Sequence, residues 1–442
     1  MNDRRKVFEL FDKYSEWTES KVNSGIELYR KGLAEIRVTD SEGKPIKGAR
    51  VSVKQKSHDF KFGVNMFMLD EFETPEKNEL YKKYFSELCN MATLPFYWDS
   101  TEPEKGKTRY EKNSEKLYRR PPIDLCIEFC EKHGIEPREH ALAYAAFFPK
   151  WLDGASDFEI KKELEKRFAQ IAERYGNKIP TIEVTNEMFW DVNKNDFYLK
   201  EDYVEFCFKL AEKYFPGNEL AINEFSRVLC DDPGRFTDRY YAYIKNAMLK
   251  GARIDAVGMQ YHQFFLREEE YEKTRKSYSP VELYKHMDLY ASFGKPLQVT
   301  EITIPAYSDS AEDEEIQAQL IEKLYPIWFS HPNMEQIIYW NLVDGYAACA
   351  PMGDMTAGEN YYRGGLLRFD MTPKPAYYTI KNLFEKKWHT EKDVVTAEDG
   401  SAVFNGFYGK YNVEIEANGK KLEKEIHLRK DGKSVFCFKD ED

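Results

Sequence analysis

The apolar positions of this chain change their period three times. Between Val7 and Arg30 the residues Phe8, Phe11, Ile26 and Tyr29 recur among charges at helical spacing, which predicts an N-terminal helical segment over 1–32. The next stretch, 33–58, switches to alternation. AEIRVTD (34–40) and ARVSVKQ (49–55) flank a turn at Glu42-Gly43-Lys44-Pro45 and read as a hairpin with one wet face. From 59 to 388 short β-branched runs alternate with amphipathic stretches, the pattern of parallel strands joined by helical crossovers. Eight candidate strands lie near 62–67, 91–98, 136–144, 181–187, 219–225, 255–262, 297–302 and 336–342, which predicts an eight-stranded β/α (TIM) barrel. Beyond 389 the alternation returns, with turn signals at Asp399-Gly400, Asn418-Gly419 and Asp431-Gly432 that mark hairpins. A lone hairpin is barely stable, so 33–58 and 389–442 are expected to meet in one small antiparallel β-domain beside the barrel.

Two of the strands end in a carboxylate, TIEVTNE at Glu187 and PLQVTE at Glu301. A barrel keeps its chemistry at the carboxyl ends of its strands, and two carboxyls facing one cleft are the minimum equipment for cleaving a glycosidic bond. Composition narrows the partners. The 30 Tyr, 30 Phe and 7 Trp supply flat rings for sugar faces, although any single ring serves equally well in a core. A net charge of −12 argues against nucleic acid or an anionic membrane surface and fits a neutral carbohydrate. The charged start, MNDRRKVFELF, has no apolar core followed by a cleavage site, and no run approaches the roughly 20 apolar residues of a membrane span, so a cytoplasmic location is expected. Seven scattered cysteines do not form a disulfide framework, and Cys126 and Cys130, one helical turn apart, read as core packing. No paired histidines stand at ligand spacing near a strand end, so neither metal nor organic cofactor is expected. Charge and composition permit a monomer or a dimer.

The order of motifs resembles glycoside hydrolase family 10, the xylanase-type retaining glycosidases. The resemblance rests on FGVNMF, YWDSTEPEKG (97–106), EHALAYAAFFPKW (139–151), VTNE, VGMQYH (257–262), VTE, YWNLVDGYA and KPAYY (374–378), in that order, and extends to the β-segments on both flanks. It implies that Glu187 is the general acid/base and Glu301 the nucleophile, with Glu301 held ionised by donors that include His262 while its charge raises the pKa of Glu187. It implies that Asn186 bonds a sugar 2-hydroxyl and that His140, Gln260 and Trp340 line the same subsite, Trp340 as a stacking floor. Asn223-Glu224 matches a non-catalytic polar pair, Glu224 being supporting, and Trp151 reads as packing.

The chain departs from that pattern in clusters. Thr93, Leu94 and Tyr97 stand where the family typically carries Glu, Asn and Lys; Tyr144, Ala145 and Phe147 replace Trp, His and Gln; and Ala348 replaces a second tryptophan. The resemblance places these lost groups on the non-reducing side of the cleaved unit, where each unpaired hydroxyl costs about 1–3 kcal/mol. Plain xylan is therefore not expected to be the preferred substrate. Either Tyr97, Tyr144 and Phe147 stack on a side group or aglycone of a short or substituted sugar, or the cleft is blocked and cleavage proceeds from a chain end. The reading is an endo-1,4-β-xylanase-like retaining hydrolase acting on xylo-oligosaccharides or a related β-glycoside. Its rivals are a non-catalytic carbohydrate-binding or inhibitor-like barrel and, further off, a metal-dependent barrel hydrolase.

Overall fold

The computed structural model describes residues 4–190, 195–225, 233–348 and 350–439. Short helical turns over Arg4–Phe8 and Glu9–Lys13 lead into a helix over Ser15–Tyr29. Next come β1 (Lys31–Thr39) and β2 (Arg50–His58), and then the barrel strands β3 (Lys61–Asn65), β4 (Met91–Pro95), β5 (Glu136–His140), β6 (Thr181–Asn186), β7 (Glu219–Asn223), β8 (Ala256–His262), β9 (Leu297–Thr303) and β10 (Met334–Tyr339). These eight are all parallel and close on themselves, β10 pairing with β3. They are almost wholly buried, as strands covered by helices outside and side chains inside must be. Gly63 shows how tight the closure is: a Cβ there would fall 1.9 Å from the Met91 carbonyl oxygen on β4.

The crossover helices begin where the sequence supplies caps. Thr74 precedes Pro75–Leu88, Ser279 precedes Pro280–Ala291, and Ser310 precedes Ala311–Ser330, each accepting a backbone N–H from the first turn. Ser156 and Glu159 form a reciprocal capping box at the start of Asp157–Tyr175. Cys126 and Cys130 are buried on Ile123–His133 and carry no disulfide. Among the described residues, no helix is long and apolar enough to cross a membrane.

The expected hairpin at 33–58 does not form. The remaining strands are β11 (Glu391–Val395), β12 (Ser401–Phe407), β13 (Gly409–Ala417), β14 (Lys420–Leu428) and β15 (Val435–Lys439). They combine with β1 and β2 into two sheets, ordered β12-β1-β15 and β11-β2-β13-β14, so the two hairpin candidates lie in opposite sheets. The turn itself is present, Thr39 bridging to Pro45. Gly48 then takes φ +77°, and the amides of Gly48 and Ala49 bond to Thr396, which draws the chain across to the second sheet. Each strand's apolar face is thus covered by the facing sheet: Ala34, Ile36 and Val38 share a core with Val51, Val53, Tyr411 and Val413. Asn418-Gly419 makes the predicted hairpin between β13 and β14. Asp399-Gly400 and Asp431-Gly432 instead carry the chain between sheets. One pairing, β1 with β15, is parallel rather than antiparallel.

The sandwich is fastened to the amino-terminal side of the barrel strands through Arg30. Packed between Phe60 and Phe329, its guanidinium donates to the carbonyls of Phe329, His331 and Met334.

Candidate active site

At the carboxyl ends of β5 to β9, polar side chains converge inside the barrel. Glu301 projects from β9, just past an irregularity in its register with β8 where Met259 faces Val299 and Gln260 faces Glu301. An extra residue in one strand re-aims the side chain that follows. Asn223 at the end of β7 donates to Glu301 Oε1 at 3.0 Å, and His262 Nε2 lies 3.0 Å from Oε2. His262 Nδ1 faces Thr303 Oγ1 at 2.9 Å, and burial pulls the imidazole down to about 4, so it is neutral.

Glu187 follows β6 with φ +52°, a left-handed conformation uncommon for a residue with a side chain. Gln260 Nε2 donates to its Oε1 at 3.0 Å, and the Tyr144 hydroxyl donates to its Oε2. Asn186 Oδ1 accepts from Gln260 at 3.2 Å and from Asn223 at 3.0 Å. A continuous chain, Glu187 to Gln260 to Asn186 to Asn223 to Glu301, therefore ties the two carboxyls together. Burial pushes Glu187 up to about 7, with the charge of Glu301 adding to it. Burial also pushes Glu301 up to about 8, against the pull of His140. The expectation that only Glu187 is raised does not hold: Glu301 is 3% exposed, and its hydrogen bonds do not offset that desolvation.

Beneath the pair lies a fixed anion. Arg138 Nη1 stands 2.5 Å from Glu183 Oε2, and His140 Nδ1 stands 2.8 Å from Oε1. Burial works against the charge of Glu183, but Arg138 and His140 outweigh it and keep this carboxyl below its ordinary value. His140, Glu183 and Glu301 present ligand atoms within 4.8 Å of one another, close enough to share a cation. The donor set fits one poorly, since Glu183 is paired with Arg138 and both ring nitrogens of His140 are engaged, Nε2 facing the Tyr97 hydroxyl at 3.0 Å.

An aromatic wall closes one side. Phe67, Tyr97, Tyr144 and Trp340 form a buried cluster of their own, with Phe147 packed against it. Tyr97 stacks on Phe147 at 4.0 Å, and the Arg120 guanidinium lies 4.1 Å from the Tyr97 ring. Trp340 meets His140 and His262 edge-on at 5.5 and 5.7 Å. Arg167, from the helix Asp157–Tyr175, is buried and bonds the carbonyls of Phe96 and Leu142 and the hydroxyl of Thr101, bracing the segments that carry Tyr97 and Tyr144.

The structure thus brings together Glu187, Glu301, His140, Asn186, Gln260, His262, Trp340, Tyr97 and Tyr144, while Phe147 joins through Tyr97. Glu224 bonds the amides of Phe189 and Phe225, which shapes the backbone beyond β6 and β7. Trp151 packs against the barrel core and donates to the Glu102 carbonyl. Sequence reasoning missed Arg138, Glu183, Arg120 and Arg167, and named Asn223 only as half of a non-catalytic polar pair. A usable signal existed for the first two: Arg138 and His140, like Glu183 and Glu187, sit at even spacing in strands that should be apolar.

The sequence model described as "Glycosyl hydrolase family 10" matches residues 52–383. The chain is similar to the anti-sigma-I factor RsgI6 of Acetivibrio thermocellus, 24% identical over 92% of this chain and 47% of that protein. It is also similar to endo-1,4-beta-xylanase B of Cellvibrio japonicus, 22% identical over 65% of this chain and 42% of that protein. The chain thus spans about half the length of these curated relatives. Among solved structures, xylanase 10B of Thermotoga petrophila RKU-1 in complex with xylobiose is similar in fold, with a TM-score of 0.57 and 21% identity, covering 74% of this chain and 95% of that one.

Proposed function

The chain belongs to glycosyl hydrolase family 10, and from that premise we propose that it hydrolyses β-glycosidic bonds with retention of anomeric configuration, acting on xylo-oligosaccharides or a related short or substituted β-glycoside. One observation carries the reading: a buried Glu301 and a half-buried Glu187 at the ends of β9 and β6, joined by side-chain amides and raised to about 8 and about 7, so that near neutrality they hold protons between them. In the first step Glu301 attacks the anomeric carbon, the glycosidic C–O bond breaks, and its oxygen takes the proton of Glu187. In the second, water gives a proton to Glu187 and attacks the same carbon, releasing Glu301. Asn186 and Gln260 meet the sugar hydroxyls. Gln260 Oε1 is buried and has no protein partner among the described residues, an acceptor suited to a ligand hydroxyl. Trp340 and His140 line the sugar's apolar side.

The aromatic wall supports a short substrate over a long polymer. Tyr97 and Phe147 stack on each other and Arg120 lies against them, so these faces are not open platforms for a polymer. Incubation with aryl glycosides and with xylo-, gluco- and arabino-oligosaccharides tests the assignment. Proton NMR of fresh product should show the β-anomer first; α-product first would refute retention.

A second reading is a sugar-binding module without turnover. It is favoured by the occupation of both Glu187 oxygens by protein donors, and by one relative being named for action on a sigma factor. Saturable oligosaccharide binding with no turnover of any activated glycoside would select it.

A further inference from the structure

Tyr144 stands where the resemblance places a tryptophan, and its phenol is bound to one of the two reacting carboxyls. We infer that Tyr144 is a positioning residue that holds Glu187 in its basic, unreactive form until a substrate's leaving-group oxygen displaces the phenol from Oε2. This rests on the reading of Glu187 as the acid/base.

Glu187 Oε1 takes the amide of Gln260, which is fixed on β8 and completely buried, and Oε2 takes the hydroxyl of Tyr144. Donors on both oxygens favour the carboxylate over the acid. A retaining cycle starts from the opposite arrangement, with the proton on Glu187 and the charge on Glu301. Burial raises both Glu187 and Glu301, so the donors on their oxygens decide where a shared proton rests. Of the two donors on Glu187, Tyr144 is the one that can yield. It lies outside the strand, directly before the turn Ala145–Phe147, whereas Gln260 is locked in the barrel.

Other titratable groups also face Glu187: Glu301 on β9, His262 on β8, Glu224 beyond β7 and Tyr97 beyond β4. Glu301 and Glu224 are carboxyls whose charge opposes that of Glu187. His262 is neutral. The Tyr97 hydroxyl is turned to His140 Nε2 instead. Tyr144 is thus the phenol placed to bias the proton directly.

The test is Tyr144→Phe, read in two ways. With a substrate that needs leaving-group protonation, the alkaline limb of kcat/KM should move up by about one pH unit, because a hydrogen bond to a charged group is lost. Independently of turnover, the Glu187 carboxyl carbon can be titrated by NMR in a Glu301→Gln background, where it titrates alone. Adding Tyr144→Phe should raise that titration by about one unit. A folded Tyr144→Phe protein in which Glu187 titrates as before overturns the inference, whether or not stability has changed. If the parent chain turned over no glycoside, the proposed function would fall, while the titration would still decide whether Tyr144 governs the proton.

Discussion

The side chain of Asn223 shows how much one residue holds at this site. Its Nδ2 lies within hydrogen-bond distance of Glu301 Oε1, Asn186 Oδ1 and Glu183 Oε1, three acceptors for two hydrogens, and its Oδ1 accepts from Thr300 at 2.7 Å. Asn223→Ala should leave a buried carboxyl short of a donor and lower kcat by about 10- to 100-fold, the equivalent of a charge-assisted bond, with a smaller change in KM. Steady-state kinetics on an aryl glycoside checks this. The two carboxyls should separate by leaving group. Glu187→Gln is expected to spare substrates with activated leaving groups while losing those that need protonation, and Glu301→Ala to lose both kinds; equal losses would contradict the roles given to them. The catalytic candidates were legible because each closes a β-branched run with a family-like tripeptide. Asn223 was legible only as half of a non-catalytic polar pair, because its contact with Glu301 depends on the distance between β7 and β9, which a linear reading cannot supply.

At the scale of elements, the barrel was readable and the sandwich only in part. Eight strands announce themselves by short apolar runs with caps and crossovers between them, and a parallel strand buried on both faces has few alternatives. β1 and β2 also showed their alternation correctly, yet alternation gives the face of a strand and not its neighbour. The neighbour was set by Gly48 and by hydrogen bonds to Thr396, nearly 350 positions away in sequence. The ion pair between β5 and β6 was hidden for a similar reason, since an Arg and a Glu in separate apolar strands read as exceptions until the strands are side by side. Replacing Arg138 by Met should destabilise the barrel by about 3–5 kcal/mol by stranding Glu183, whereas replacing Arg138 and Glu183 together should cost much less; paired denaturant titrations measure the difference. Arg30→Ala, which leaves three buried carbonyls without their donor, should cost roughly 3 kcal/mol and loosen the junction between sandwich and barrel.

Over the whole molecule, burial of acids sets the response to pH. Glu71 and Glu187 are pushed up to about 7, and Glu224, Glu301 and Glu335 up to about 8, each by burial first. The folded chain therefore keeps protons that the unfolded chain has released, and stability falls as pH rises from the ordinary carboxyl value of about 4.5 up through these values. His58 and His262, lowered to about 4 by desolvation, act in the opposite sense only up to the ordinary histidine value of about 6.5. Thermal melts should accordingly show a decline that begins above about pH 4.5 and steepens between about 6.5 and 8, and Glu301→Gln should stabilise the protein more at pH 8 than at pH 5. That trade of stability for reactivity is what a buried pair of reacting carboxyls requires. The most direct measurement is covalent trapping. A mechanism-based 2-fluoro-β-glycoside of the sugar found in the substrate panel should add one glycosyl group, and peptide mass spectrometry should place it on Glu301. Labelling of any other carboxylate, or no labelling while turnover continues, would contradict the double-displacement account.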